Sequence, residues 1–418
     1  MESGHQAVVV LSEYLAEAAF NNSELKAAFH RWKAALEKVS QAKTLPDPRF
    51  TFGYFIRSVE TRVGPQRARY GLSQTFPWFG KLALKGDVAM QEANTLKAEY
   101  DALKWRIFYD VKKAFYEYAY LARAIEITRE NMLLLQYLES VARTRYATGA
   151  LPYGDVLNIQ VELGKIEDRL RTLQDLRKPI MARLLAAMNR PADSQLPWPP
   201  EVPVMLITLT DEQILTQLPE HSPRIKKLEY VEAREKAGIE LAQKDYWPDI
   251  TFGLETIDTG EALNPTIPDS GKDPIIASVS INIPLWTGRR SAAVRETEAM
   301  LASAGQDLVS MEQKLITDTQ LALYLYRDAE RKIDLYGNTL IPKAEQSLGV
   351  VLEAFQSGTR NSLDLIDTER TLLEFKLAYV RALANQAQKL SELEMLLGKE
   401  IPCRIHGYVL PKVPLPEN

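Results

Sequence analysis

The sequence predicts a mixed α and β membrane protein, in which a β-barrel pooled from several chains is continued by a long α-helical barrel. Three observations lead there. The 418-residue chain carries one unit twice, each copy holds a helical stretch far longer than a globular helix, and four short strands are apolar at every second residue.

The repeat comes first, because self-similarity at a fixed spacing decides the architecture. Pro48-Arg49-Phe50-Thr51-Phe52-Gly53 recurs 200 residues on as Pro248-Asp249-Ile250-Thr251-Phe252-Gly253. Ser23-Glu24-Leu25-Lys26 has its counterpart in Pro223-Arg224-Ile225-Lys226, and Tyr146-Ala147-Thr148-Gly149 in Phe355-Gln356-Ser357-Gly358. Order is kept throughout, so residues 1–195 and 205–400 read as two copies. Between them, in 196–204, Leu196-Pro197-Trp198-Pro199-Pro200-Glu201-Val202-Pro203 is a stiff extended linker. Residues 401–418, with Pro411, Pro414 and Pro416, form a non-helical tail.

Each copy opens on a helix and passes to two strands, expected at 48–57 and 69–77, then at 249–258 and 275–285. Phe50, Phe52 and Tyr54 alternate with Thr51 and Gly53; Ala277, Val279 and Ile281 alternate with Ser278 and Ser280. One face is apolar and the other small or polar, which is the period of a strand. Ten residues at ~3.3 Å reach about 33 Å, enough for a tilted bilayer crossing. On this pattern Phe50, Phe52, Phe76, Phe252, Val279 and Ile281 face lipid, whereas Thr51, Ser73, Thr251 and Ser280 face a lumen. The connections Arg57–Arg69 and Asp258–Asp273 become outer loops. Four strands cannot close alone, and lipid does not tolerate an open sheet edge, so several chains must share the barrel. Three chains give about twelve strands and an aqueous lumen, two a narrower barrel of about eight. The pattern itself leaves the number open.

The long helices are expected at 80–148 and 288–357. From Lys81 to Ala150 there is no proline, and such a stretch would extend about 100 Å as a helix. Gly149 and Gly358 sit where helix C-terminal glycines belong. Partner helices follow at 153–190 and 362–399, and Pro179 and Pro342 should kink or interrupt their helices.

Composition excludes much. A net charge of −4 gives no reason to expect nucleic acid as a partner. Cys403 is the single cysteine, the four histidines are scattered, and no metal-site spacing occurs, so neither metal nor cofactor is expected. There is no phosphate loop or catalytic triad, which argues against an enzyme. No apolar run approaches the ~18 residues of a membrane-spanning helix. Met1-Glu2-Ser3-Gly4-His5 lacks the charged-then-apolar pattern of a secretion signal, so if the chain is exported its signal has been removed.

Ser357-Gly358-Thr359-Arg360-Asn361-Ser362-Leu363-Asp364-Leu365-Ile366-Asp367 resembles the Gly-Thr-Arg turn and two acids at the periplasmic tip of the TolC family of outer-membrane efflux ducts. Gly149-Ala150-Leu151-Pro152-Tyr153-Gly154-Asp155 resembles the family's other tip, with its single acid. The junction Phe76-Pro77-Trp78-Phe79-Gly80-Lys81 is similar to ducts that serve heavy-metal-exporting pumps of the resistance-nodulation-division type. The resemblance implies a homotrimer with a twelve-stranded barrel, and an equatorial belt made by the linker and the tail. It implies pore-gate acids at Asp364 and Asp367 and tip-linking roles for Asp155 and Arg360. Phe355 stands where some members have a tyrosine, so one hydroxyl link of the tip is missing. A passive exit duct in the outer membrane of a Gram-negative bacterium follows, with a periplasmic adaptor and an inner-membrane pump as partners. Acids also favour helix starts for electrostatic reasons alone, and all three lie in or near one. From a different class, the alternative is a soluble coiled-coil scaffold or adaptor protein with a small β domain.

Overall fold

The computed structural model describes residues 2–264 and 266–406. Pro411, Pro414 and Pro416 of the expected tail lie outside the described residues. In chain order, α1 (Glu2–Asn21) and α2 (Ser23–Lys43) lead into β1 (Arg49–Thr61), β2 (Gly64–Phe76), α3 (Lys81–Ala147), α4 (Tyr153–Asp175) and α5 (Arg177–Met188). Then come β3 (Val204–Ile207), α6 (Asp211–His221), α7 (Pro223–Lys244), β4 (Ile250–Thr259), β5 (Ile275–Ile281), α8 (Thr287–Leu335), α9 (Ile341–Ser357), α10 (Ser362–Leu397) and β6 (Cys403–His406). Among these helices none is long and apolar enough to cross a membrane. The chain forms two compact units, one from residues up to Ala28, Glu99–Ile225 and Met311 onward, the other from Phe29–Ala98 and Lys226–Ser310.

Local chemistry sets the breaks. Where one opening helix was expected there are two, because the Asn22 side chain accepts the Leu25 N–H at 3.0 Å and starts α2 afresh. The helix expected over 153–190 divides at Leu176, just ahead of Pro179, whose ring and missing N–H suit only a first turn. Before Pro342 the backbone widens into a π-turn over Tyr336–Leu340, which relieves the same defect without ending the rod. Gly358 takes φ of +83°, and its N–H returns to the Phe355 carbonyl, closing α9 so that α10 can reverse.

The second unit holds a four-stranded antiparallel sheet in the order β1-β2-β4-β5. Its first hairpin differs from expectation. Pairing continues through most of Arg57–Arg69 to a tight turn at Arg62 and Val63, after a bulge between Tyr54 and Val59. Backbone ladders need no apolar side chains, and the arginines there hid the strand. Gly64 makes the turn, with φ of +134° and the Gly260 carbonyl packed where a Cβ would stand. At the other end β5 stops at Ile281 instead of reaching 285, since Pro284 has no N–H to donate and the Asn282 side chain accepts from the Asp249 N–H. At that junction Lys81, its side chain 6% exposed, donates to Asp249 at 2.9 Å and lies 3.3 Å from Asp245. Asp249 also accepts the Trp78 N–H at 2.9 Å, tying the start of α3 to the start of β4.

The first unit is a helical core. Leu135, Leu138, Ile159, Phe355, Leu365 and Leu373 are buried together from α3, α4, α9 and α10. Across it Arg381 pairs with Glu117 at 2.7 Å and lies over the Tyr120 ring, while Lys112 meets Glu394 at 2.5 Å. The linker runs extended over this unit: Trp198 stacks on Tyr118 at 4.7 Å and carries Arg177 on its ring at 4.4 Å. Where the linker ends, β3 pairs antiparallel with β6, so the segment that follows it and the start of the tail share one small sheet. Tyr326 holds that sheet, donating to the Met205 carbonyl and accepting the Ile207 N–H at 3.0 Å.

Replacing Asp249 by Ala should leave the buried Lys81 ammonium with only the longer contacts to Asp245 and the Trp247 carbonyl, both at 3.3 Å, and the Trp78 N–H unsatisfied. A loss of about 2–4 kcal/mol is expected in equilibrium unfolding, while Asp245→Ala should cost clearly less.

Candidate functional site

Two sets of residues carry the functional reading, one in each unit. In the sheet, the register puts Phe50 opposite Leu72, Phe76 opposite Ile250, Phe252 opposite Val279 and Ile250 opposite Ile281. Directly paired residues point the same way, so Phe50, Phe52, Phe76, Phe252, Val279 and Ile281 share one face. All six are exposed, Phe50 by 66% and Val279 by 67%, so in the single chain this apolar face is uncovered. Thr51, Ser73, Thr251 and Ser280 share the opposite face, where Thr75 and Thr251 join hydroxyls at 2.8 Å. Next to the strand ends, Trp78 stacks on Trp247 at 5.0 Å, and Phe79, Leu285 and Trp286 are exposed. Sequence reading used this junction for its motif and missed the aromatic cluster, although Trp78, Trp247 and Trp286 were in plain view.

In the first unit the two helical turns at Gly149 and Gly358 meet. Asp155, in the first turn of α4, accepts the Ser362 N–H at 3.1 Å and also the Ser362 hydroxyl. Ser362 is fully buried, so this carboxylate caps the neighbouring helix α10 across the tip. Arg360 turns to its own helix and pairs with Asp364 at 2.9 Å, while Asn361 accepts the Asp364 N–H at 3.0 Å. Asp367 lies one turn on and pairs with Arg370 at 3.3 Å. Asp364 and Asp367 thus share a face with their counter-charges beside them. Arg145, which sequence reading missed, donates to the Phe355 carbonyl and lies over the Phe355 ring at 5.6 Å. A backbone acceptor thereby joins the two turns where a side-chain hydroxyl is lacking.

Below the turns lies a carboxylate no motif marks. Glu369 on α10 is 1% exposed, and neither of its oxygens has a hydrogen-bond partner among the described residues. Burial, reinforced by the Glu162 charge and opposed by Arg370 and Lys376, pushes it up to about 8. Burial acts on Glu162 the same way, but hydrogen bonds from Arg370 at 2.9 Å and Lys165 at 3.1 Å outweigh it and hold that carboxyl below its ordinary range. Two carboxyls of one core are driven apart, one kept neutral and one kept charged.

A sheet with one uncovered apolar face, joined in one chain to paired helical turns bearing acids, defines a channel protein of the outer-membrane type. The chain belongs to the outer membrane efflux protein family, whose model matches residues 14–190 and 214–399. It is 20% identical over 401 residues to the cobalt-zinc-cadmium resistance protein CzcC of Cupriavidus metallidurans, covering 94% of this chain and 90% of that one. It is 21% identical over 330 residues to outer membrane protein OprJ of Pseudomonas aeruginosa, covering 77% and 67%. The crystal structure of outer membrane protein VceC from Vibrio cholerae has the same fold, with a TM-score of 0.76, 20% identity, and coverage of 94% and 97%. The protein is an outer-membrane efflux channel of a Gram-negative bacterium, and the soluble scaffold alternative is set aside.

Glu369 gives this site a pH signature. Its ordinary value is 4.5, so between 4.5 and about 8 the folded chain keeps a proton that the unfolded chain releases. Stability should therefore be fullest below 4.5 and decline as pH rises, levelling off above about 8, with about 5 kcal/mol as the upper bound. Glu369→Gln should flatten that part of the profile in unfolding midpoints taken across the range. An unchanged slope would show that Glu369 is ionised in the fold.

Proposed function

We propose that three copies of this chain form a passive exit duct, their sheets closing a twelve-stranded barrel that their long helices continue. The observation that carries the proposal is the four-stranded sheet itself, left open at β1 and β5 and apolar on one face. The open edges are not tolerable in a bilayer until strands of further copies complete them, whereas the apolar face suits lipid and not water. The face with Phe50 and Phe252 lies against lipid, the face with Thr51 and Ser280 lines the lumen, and the Trp78–Trp247 cluster sits at headgroup level where aromatic rings are favoured. A twofold repeat of the chain agrees with the parallel order of its two halves. Solutes arrive from an inner-membrane pump through a periplasmic adaptor, and the duct performs no chemistry on them.

At the tip Asp364 and Asp367 act as the entrance acids, three of each around one axis, giving a narrow mouth a negative field. Asp155 and Arg145 hold the two turns of one chain together, and Arg360 tempers Asp364. A mouth of this charge favours cations, and the similarity to CzcC, named for cobalt, zinc and cadmium resistance, supports that substrate class.

In planar bilayers, Asp364→Asn with Asp367→Asn should lower the preference for K⁺ over Cl⁻ and weaken block by multivalent cations, with assembly intact. Selectivity and block that both stay unchanged would reduce the acids to helix-start residues. For the barrel, Phe52→Arg should cost about 2–4 kcal/mol in stability and Thr51→Arg much less. Equal costs would reject the assignment of faces.

A further inference from the structure

We infer that Arg69 and Glu255 form a charge-compensated girdle on the inner wall of the barrel and keep its bore unselective. The inference rests on the proposed reading of the sheet as the wall of an aqueous lumen. Register places both residues. Arg69 on β2 lies opposite Gly53 of β1 and Ile257 of β4, while Glu255 on β4 lies opposite Gly71 of β2 and Ile276 of β5. They belong to the alternate set that holds Thr51 and Ser280, on the side away from Phe50 and Phe252. Guanidinium and carboxylate meet on the diagonal at 2.5 Å, and their side chains are 53% and 20% exposed. Diagonal neighbours across strands are within reach of long side chains.

Each member of the pair has a glycine beside it. A Cβ at Gly53 would stand 3.8 Å from that of Arg69, and one at Gly71 would stand 3.8 Å from the Glu255 carboxylate arm. The two long side chains occupy space these glycines leave. On this face, within the regular register, the other charged residue is Arg49, at the far end of β1. A solvated ion pair adds little to stability, so its consequence lies in the field. Between low-dielectric walls, one fixed charge per chain repeated around an axis gives the bore a potential of one sign. Two opposite charges 2.5 Å apart cancel it, and ions of either sign pass this level alike.

The test is the reversal potential of the full-chain oligomer in planar bilayers under a KCl gradient. Glu255→Gln should lower the K⁺/Cl⁻ permeability ratio and Arg69→Gln raise it, each by about twofold or more at low salt, with the shifts shrinking near roughly 1 M. The double variant and the exchange Arg69→Glu with Glu255→Arg should match the unsubstituted protein. If the single variants conduct with an unchanged ratio, or shift it in the same direction, the pair does not line the bore and the inference fails while the channel reading stands. If the unsubstituted protein assembles in the bilayer without conducting, the channel reading falls and the pair with it. Should a single variant not assemble, Gly71→Cys in a Cys403→Ser background replaces it. Charged water-soluble thiol reagents of opposite sign must then move the ratio in opposite directions, and no movement overturns the inference.

Discussion

An open sheet edge in lipid is the constraint on which the rest of this molecule depends. β1 and β5 each present a row of unpaired backbone donors and acceptors, and hydrocarbon offers them nothing. The chain cannot remove the edges by folding, because four strands are too few to curl shut. In the proposed assembly that problem is passed to neighbouring copies. On that reading the outer face can be mostly apolar, with Gln74 and Thr256 among its exceptions in the paired register, because it never has to be buried by its own chain. On the same reading the inner face can carry Thr51, Ser73, Thr251 and Ser280 together with the charged Arg69 and Glu255, because it meets water. An ordinary soluble sheet of this size would need a helix over Phe50 and Phe252, and those rings are exposed.

The same logic explains where strong polar contacts are spent. Within the second unit, the most enclosed ion pair is Lys81 with Asp249, at the point where strand turns into helix. A strand end tolerates twist, whereas a helix tens of residues long magnifies any error in its starting direction. Fixing the first residue of α3 against the residue just before β4 is therefore worth the desolvation of an ammonium group. In the first unit, Arg381–Glu117 and Lys112–Glu394 bridge α3 and α10 in the same manner. Apolar packing alone would let rods slide along each other, and ion pairs at fixed heights prevent it.

What could be read from the sequence was whatever depends on local pattern. The period of two in Phe50-Thr51-Phe52 sorts residues onto the two faces of the sheet because pleating forces alternation, whatever the partner. Pro179, Pro342 and Gly358 mark breaks because their backbone chemistry acts within one turn. Contacts between distant segments left no such trace. Arg145 looks like any solvent-exposed arginine until Phe355, 210 residues on, brings a carbonyl to it. Glu369 sits in a run of charged and apolar residues, and only packing against α4 shows that its carboxyl faces inward beside Glu162. The hairpin through Arg57–Arg69 was missed for the opposite reason: its charged side chains suggested a loop, while the backbone ladder is indifferent to them.

At the tip, two demands on the same carboxylates are compatible because of where the arginines stand. Asp364 stabilises the start of α10 simply by its place in the first turn, and Asn361 fills the capping role beside it. It need not be buried to do so, and it stays partly exposed. Arg360 and Arg370, four residues before Asp364 and three after Asp367, neutralise the acids when folded back along the helix. The Arg360–Asp364 pair, between solvent-accessible side chains, is held by no more than about 1 kcal/mol, so Arg360 can swing away at little cost. Arg370, by contrast, is also tied to the nearly buried Glu162 at 2.9 Å. In the proposed entrance the field is then set by side-chain positions on a helix end, and no movement of the backbone is needed to change it. Asp155 differs in kind: committed to the buried Ser362, it cannot leave without stripping that residue's N–H of its acceptor. The tip therefore joins a firm link inside the chain to a soft, adjustable charge on its surface.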